Sequence, residues 1–238
     1  MHWRPALAVA LLFAPLPAAA DVTARYRFGS AELSVEVDDG GDYRVEVAGT
    51  FALIRRGGAD YVVVFDGQEP RVFERQPFLD LVKATLGNDQ PTPATVRREM
   101  VLAKGDEEQV GERRGIRWTL QAAKPAANTN KIEAVMSTDP DLAPVAGVLA
   151  ETVDVALRNF GTLLPGSNLD TALRALFAKG APLRLVLMQE LRLGSVSTAA
   201  ISPARFELPG AVLDPEVLRT IETRSRKVEV KVETHPAP

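Results

Sequence analysis

The amino-acid sequence predicts an α+β protein built mainly from antiparallel sheet. Three observations carry that expectation. Short runs alternate polar and apolar residues along most of the chain, Gly- and Asp-rich turns separate them, and a few stretches space their apolar residues three and four apart. Alternation with period two marks a strand with one wet and one buried face, whereas the longer spacing marks one face of a helix.

The first twenty residues read as an export leader. His2 and Arg4 give a weakly positive start, residues 6–14 (ALAVALLFA) form an apolar run, and a Pro-containing stretch ends in Ala18-Ala19-Ala20. Such a run is too short to span a bilayer, and the closing small residues suit signal peptidase. Cleavage is expected near Ala20/Asp21, releasing a soluble periplasmic protein. The chain has no cysteine, so neither a lipid anchor after the leader nor a disulfide is expected. Its 28 Lys and Arg face 31 Asp and Glu, a net charge of −3 that loss of Arg4 takes to about −4. That balance argues against nucleic acid as a partner. No stretch after the leader is apolar for the roughly 20 residues a membrane span needs.

A meander of strands follows. Residues 25–28 (RYRF), 32–37 (ELSVEV), 43–47 (YRVEV), 51–55, 60–65 and 71–73 are each expected as strands. Asp38-Asp39-Gly40-Gly41-Asp42, Gly57-Gly58 and Asp66-Gly67 supply the turns, since Gly and Asp accept positive backbone angles. The spacing then predicts a helix over 77–86, with Phe78, Leu79, Val82 and Leu86 on one face and Gly87-Asn88 as a stop. Strands resume at 96–102, 108–110, 116–120 and 132–136, with a hairpin-like 111–115 (GERRG) among them.

Asp139-Pro140-Asp141 is a helix start, with Pro early and acids at the positive end of the helix dipole. From 142 to 164 the apolar residues form one continuous stripe, which predicts a long amphipathic helix ended by Pro165-Gly166. Ser167 or Asn168 then caps a second helix running to Phe177. Residues 182–193 (PLRLVLMQELRL) are expected as a strand, and 195–200 and 204–208 as the last strands of the sheet. A short helix over 214–224 and an alternating strand over 227–233 (KVEVKVE) close the chain. The expected organisation is a leader at 1–20, a sheet domain at 21–210 and a C-terminal helix/strand tail at 211–238.

Three segments carry a family likeness: residues 111–120 (GERRGIRWTL), 179–184 (KGAPLR) and 195–209 (SVSTAAISPARFELP). With the leader and the meander, they resemble a bacterial periplasmic protein family of unknown function related to the LolA/LolB-like lipoprotein carriers. The likeness spans most of 22–209. The paired Cys of some relatives is missing here, and the helix over 142–164 is longer than the pattern. The resemblance implies a curved antiparallel half-barrel sheet with helices packed over its concave face. In the carriers that concavity holds acyl chains.

Histidine occurs only at positions 2 and 235, in the leader and in a Pro-rich tail. A Ser-His-Asp or Cys-His arrangement therefore lacks a base, and a His/Cys zinc site lacks ligands. Asp38, Asp39 and Asp42 are oxygen donors suited to Ca²⁺, but a hairpin turn explains them more simply. A glycosidase cleft would want stacking aromatics, and Trp118 is the one Trp after the leader. No phosphate-binding Gly loop is present. The Arg pairs 55–56, 97–98 and 113–114 suit either phosphate oxygens or solvated strand ends. No cofactor, metal or catalytic residue is expected, and the chain reads as a non-enzyme.

The apolar inventory defines the candidate ligand-binding residues: Phe51, Leu53, Val62, Val64, Phe78, Leu81, Trp118, Leu120, Val148, Leu149, Leu185 and Leu187. A filled core is the ordinary reading of such a set. On a sheet that is curved and incompletely filled, the same side chains line an apolar pocket. The expected function is accordingly a binding protein for an acyl chain, a lipoprotein or another apolar ligand. The alternative is an envelope protein with a filled core, whose strand at 227–233 pairs with a partner's sheet edge. The leader reading is checked by N-terminal sequencing of the exported protein, which should begin at Asp21. A periplasmic product beginning at Met1 would remove it.

Overall fold

The computed structural model describes residues 21–65, 69–86, 99–124, 131–160, 168–187 and 189–217. The expected leader at 1–20, turn at Asp66-Gly67, helix stop at Gly87-Asn88, helix end at 161–166 and strand at 227–233, with the Arg pair 97–98, lie outside the described residues. Six strands come first: β1 (Val22–Phe28), β2 (Ala31–Val37), β3 (Tyr43–Val47), β4 (Phe51–Arg56), β5 (Ala59–Val64) and β6 (Arg71–Glu74). Helix α1 (Arg75–Leu86) follows directly. Then come β7 (Met100–Val110), β8 (Arg113–Ala122) and β9 (Ile132–Ser137), helices α2 (Ala143–Phe160) and α3 (Leu169–Phe177), and strands β10 (Ala181–Val186), β11 (Glu190–Ser197) and β12 (Val212–Leu213).

These strands form one open sheet in the order β12-β6-β5-β4-β3-β2-β1-β11-β10-β9-β8-β7. Every pairing is antiparallel except the parallel pair of β12 with β6. The α+β class is therefore as the alternation predicts. Two meanders, β1 to β6 and β7 to β11, meet where β11 lies beside β1.

Several boundaries differ from the expectation, each for a physical reason. From Met100 on, the expected strands at 96–102 and 108–110 belong to one strand, because a register shift between Lys104 and Glu107 absorbs the polar insertion at Gly105-Asp106; residues 96–98 lie outside the described residues. The apolar run 182–193 holds parts of two antiparallel strands, β10 ending at Val186 and β11 starting at Glu190, and the sequence between them has no Gly or Pro to signal a turn. Segment 204–208 is not a strand: Pro203–Phe206 forms a 3₁₀ turn that buries Phe206. The long helix starts as a 3₁₀ turn at Pro140–Leu142, capped by the Asp139 carboxylate, which accepts from the Asp141 amide at 3.1 Å. The expected helix at 214–224 is described only through 217.

The main core lies between the sheet and the helices. Val35, Val45 and Ala24 from β1 to β3 join Ala134, Met136, Leu183 and Leu185 from β9 and β10. Leu142, Val145, Val148 and Leu149 of the capping turn and α2 cover them, with Leu176 and Phe177 of α3. A second cluster sets Leu157, Leu169, Ala172 and Leu173 against Met100, Leu120 and Ala122 of β7 and β8. Asn168 bonds the Met100 backbone through both amide atoms, at 2.6 and 3.0 Å, and so docks α3 onto that edge strand.

The opposite face is closed by the chain itself. After β11, the segment ending in β12 crosses β3 and β4 and reaches the far edge beside β6. The Arg205 guanidinium forks onto Glu36 with contacts of 2.9 to 3.1 Å, while Arg44 bonds Glu46 at 2.6 Å. Glu36 is only 6% exposed, so this pairing is what makes its burial tolerable. Beyond it, Ala52, Ile54, Val63 and Val72 form a third apolar cluster against Tyr61, Phe65 and Leu208.

Gly180 turns the chain from α3 into β10 at φ +125°, and a β-carbon there would collide with the Ser137 carbonyl oxygen. Gly147 sits mid-helix in α2 with open space around it. Denaturant unfolding should show Gly180→Ala losing about 2 kcal/mol or more, from steric clash and backbone strain. Gly147→Ala should instead gain about 0.5–1 kcal/mol from helix propensity. Equal effects at the two positions would contradict this account of the turn.

Candidate functional site

Cross-strand register places the apolar candidates in rows on the helix-bearing face. One row runs Val62–Leu53–Val45–Val35–Ala24–Val196 across β5, β4, β3, β2, β1 and β11. It is largely sealed, with Val62, Val45, Val35 and Ala24 all buried. The next row outward is Val64–Phe51–Val47–Leu33, continuing to Tyr26 and Leu193. Here Phe51 is 36% exposed, and Val64, Val47, Leu33 and Leu193 are half-buried. Phe28, 38% exposed, lies further along β1 opposite Leu191. The apolar face thus extends past its helical cover.

The twelve candidates separate accordingly. Val62, Leu81, Leu120, Val148, Leu149 and Leu185 are packed interior. Phe78 is half-buried on α1, its ring stacked on Phe73 with centroids 5.5 Å apart. Phe51, Leu53 and Val64 come together on β4 and β5. Leu187, 49% exposed at the β10–β11 turn, and Trp118 on β8 are remote from them.

Trp118 instead lines a groove of about 750 Å³ between the β7–β8 hairpin, the end of β9 and the turn after α3. Lys104 faces Trp118 across the β7–β8 ladder, and the Lys179 ammonium sits 5.0 Å above the indole ring. Ile116 and Met136 add apolar wall. Arg113 bonds the Asp139 carboxylate and lies 3.9 Å from Asp141, and Arg114 lies 3.5 Å from Glu107. Arg113, Trp118 and Asp139 each carry a signal in the sequence and Lys179 belongs to the segment 179–184, but nothing in the sequence joins them, and Lys104 is brought to the site only by proximity in space.

The other charged cluster is internally balanced. Arg55 forks onto Asp60 at 2.9 and 3.1 Å and onto Glu151 at 2.9 and 2.5 Å, with its guanidinium 4.8 Å from the Tyr43 ring. Arg75 donates to Asp60 at 2.5 Å, to Glu151 at 3.2 Å and to the Tyr43 hydroxyl at 2.9 Å. The Asp60 hydrogen bonds, ahead of the cost of burial and the Glu151 bonds, hold the Arg55 charge firmly in place. Two cations and two anions leave no charge for a ligand, and the cluster links β4, β5, α1 and α2.

The acidic turn is also internally satisfied: Asp38 accepts from the Asp42 amide at 2.8 Å and Asp42 from the Gly57 amide at 2.8 Å. Among the described residues, no group of three or more His, Cys, Asp or Glu is placed to hold a metal ion. No helix among them is long and apolar enough to cross a membrane. No protein-family model matches the chain, and no curated protein matches it either.

Burial pushes the Tyr43 phenol from 10 up to about 12, with Arg75 opposing and Asp60 and Glu151 adding to the rise. The folded state therefore keeps a proton that the unfolded chain loses. This contribution to stability is complete below pH 10 and disappears as pH rises toward 12. Unfolding free energies measured across that window should fall less steeply for Tyr43→Phe than for the parent. Tyr26, also pushed up by burial, supplies a slope common to both. Identical slopes would exclude Tyr43 as a contributor.

Proposed function

We propose that this protein is a soluble periplasmic, non-enzymatic carrier that holds an acyl chain, a lipoprotein or another apolar ligand. In this reading the sheet is a curved half-barrel with helices over its concave face, as the likeness to LolA/LolB-like carriers implies. One observation carries it: the row Val64–Phe51–Val47–Leu33, on four adjacent strands of the helix-bearing face, is left half-open to solvent. A contiguous apolar strip of this kind marks a surface meant to be covered. The confinement of histidine to positions 2 and 235 supports a binding role over a hydrolytic one.

An envelope protein with a filled interior and no small ligand is the second reading. It is favoured by Val62, Leu120, Leu149 and Leu185, candidates that are packed instead of open.

Native mass spectrometry with lipid extraction, on full-length protein purified from the envelope, separates the two. Acyl species should co-purify with the parent and be lost severalfold from Phe51→Asp and Val64→Asp. Both variants should keep the parent's thermal unfolding to within a few degrees, since these positions are partly exposed. A clean apo mass for the parent would overturn the carrier reading and leave the filled envelope protein.

A further inference from the structure

We infer that the groove beside Trp118 is a second binding site, separate from the apolar strip, and that it takes an anion attached to an apolar or aromatic body. The pattern of direct ion pairs, and not a net positive charge, points there. Arg113 is matched by Asp139 and Asp141, and Arg114 by Glu107. Lys104 and Lys179 remain, lining the same groove with no carboxylate partner among the described residues. Glu112 also lines it, from the tight turn between β7 and β8, so the surroundings are close to neutral as a whole and the two ammonium groups are set apart by their lack of a bonded carboxylate. The proximity of Lys179 to the end of α3 suits a cation at that position, and Lys104 is exposed on the edge strand β7.

The geometry joins the two charges to an apolar platform. Trp118 stands directly opposite Lys104 in the ladder, and the Lys179 ammonium is held over its ring. An anion bridging the two ammonium groups would gain charge-assisted hydrogen bonds from both sides. Its body would rest on Trp118, Ile116 and Met136, which form the apolar side of the groove. The volume, about 750 Å³, suits a small organic molecule or the head and first carbons of a lipid. Phosphate and carboxylate share the required chemistry. The Arg55 cluster has no such vacancy, because its cations and carboxylates neutralise one another.

Isothermal titration of the full chain with 2-naphthyl phosphate, 2-naphthol and inorganic phosphate tests the assignment. Naphthyl phosphate should bind about tenfold or more tightly than either fragment, and the double variant K104E/K179E should lose about tenfold or more of that affinity. Both lysines are exposed, so the variant should fold, and K104Q/K179Q supplies a milder check with a smaller loss. Dodecyl phosphate below its micellar concentration separates the sources: tighter binding than naphthyl phosphate assigns a lipid head, weaker binding a soluble anion. Trp118 is the one Trp after the leader, so its fluorescence should shift with either ligand once the leader is removed. Absence of binding, equal binding of inorganic phosphate, or full affinity in K104E/K179E would overturn the site. None of these results depends on whether Phe51→Asp releases acyl species, so the two proposals stand or fall separately.

Discussion

The packing of α2 against the sheet is the contact on which the remaining architecture depends. Val145, Val148 and Leu149 lie over strands from both meanders, where β1 and β2 approach β10. Besides that helix, the two meanders are joined by the β1–β11 ladder and by the crossing segment that follows β11. Each buried Leu or Val in such a place is worth about 1.5–3 kcal/mol in apolar burial alone, and no disulfide supplements it. The same helix carries Leu157 into the cluster with α3 and Glu151 into the ionic cluster with α1. One element therefore sets the position of the other two.

The two faces of the sheet are closed by different means. On the helix side, apolar stripes at helical spacing do the covering. On the other side, a crossing segment held by Arg205 and Glu36 shields β3 and β4 before pairing at the far edge. The hydrogen bonds with Glu36 favour the charged form of Arg205 above all other causes, so the anchor persists across the ordinary pH range. An antiparallel sheet commonly leaves one face wet. Here both faces are partly covered, and among the described residues the strip around Phe51 and the groove beside Trp118 are two places where apolar side chains stay open.

Those two openings differ in character. The strip is lined by aliphatic and phenyl side chains on adjacent strands and has no charge of its own among Val64, Phe51, Val47 and Leu33. The groove combines an indole ring with unpaired ammonium groups. Water is displaced cheaply from the first and is ordered by charge in the second, so the two select for different chemistry.

Much of the fold was legible because strands and helices announce themselves locally. The alternation of 32–37 and 43–47, the Asp-Gly turn between them, and the stripe beginning at Leu142 all recur as β2, β3 and α2. Reading failed where no local signal exists. The sequence between β10 and β11 has no Gly or Pro to mark the change of strand, and Phe206 reads as part of a strand until it is seen buried within a 3₁₀ turn. The site was half legible. Trp118, Phe51 and Val64 could be picked out as large apolar residues, but nothing separated them from the packed Leu120 or Leu185. Residue type and period are properties of a few neighbours, so the sequence alone determined the α+β class, the order of most elements and the lack of cysteine. The placement of β11 beside β1, the pairing of Arg205 with Glu36 and the meeting of Lys104, Trp118 and Lys179 join residues far apart in the chain. Only the tertiary structure decided them, because such contacts arise from the shared need to bury apolar surface and balance charge.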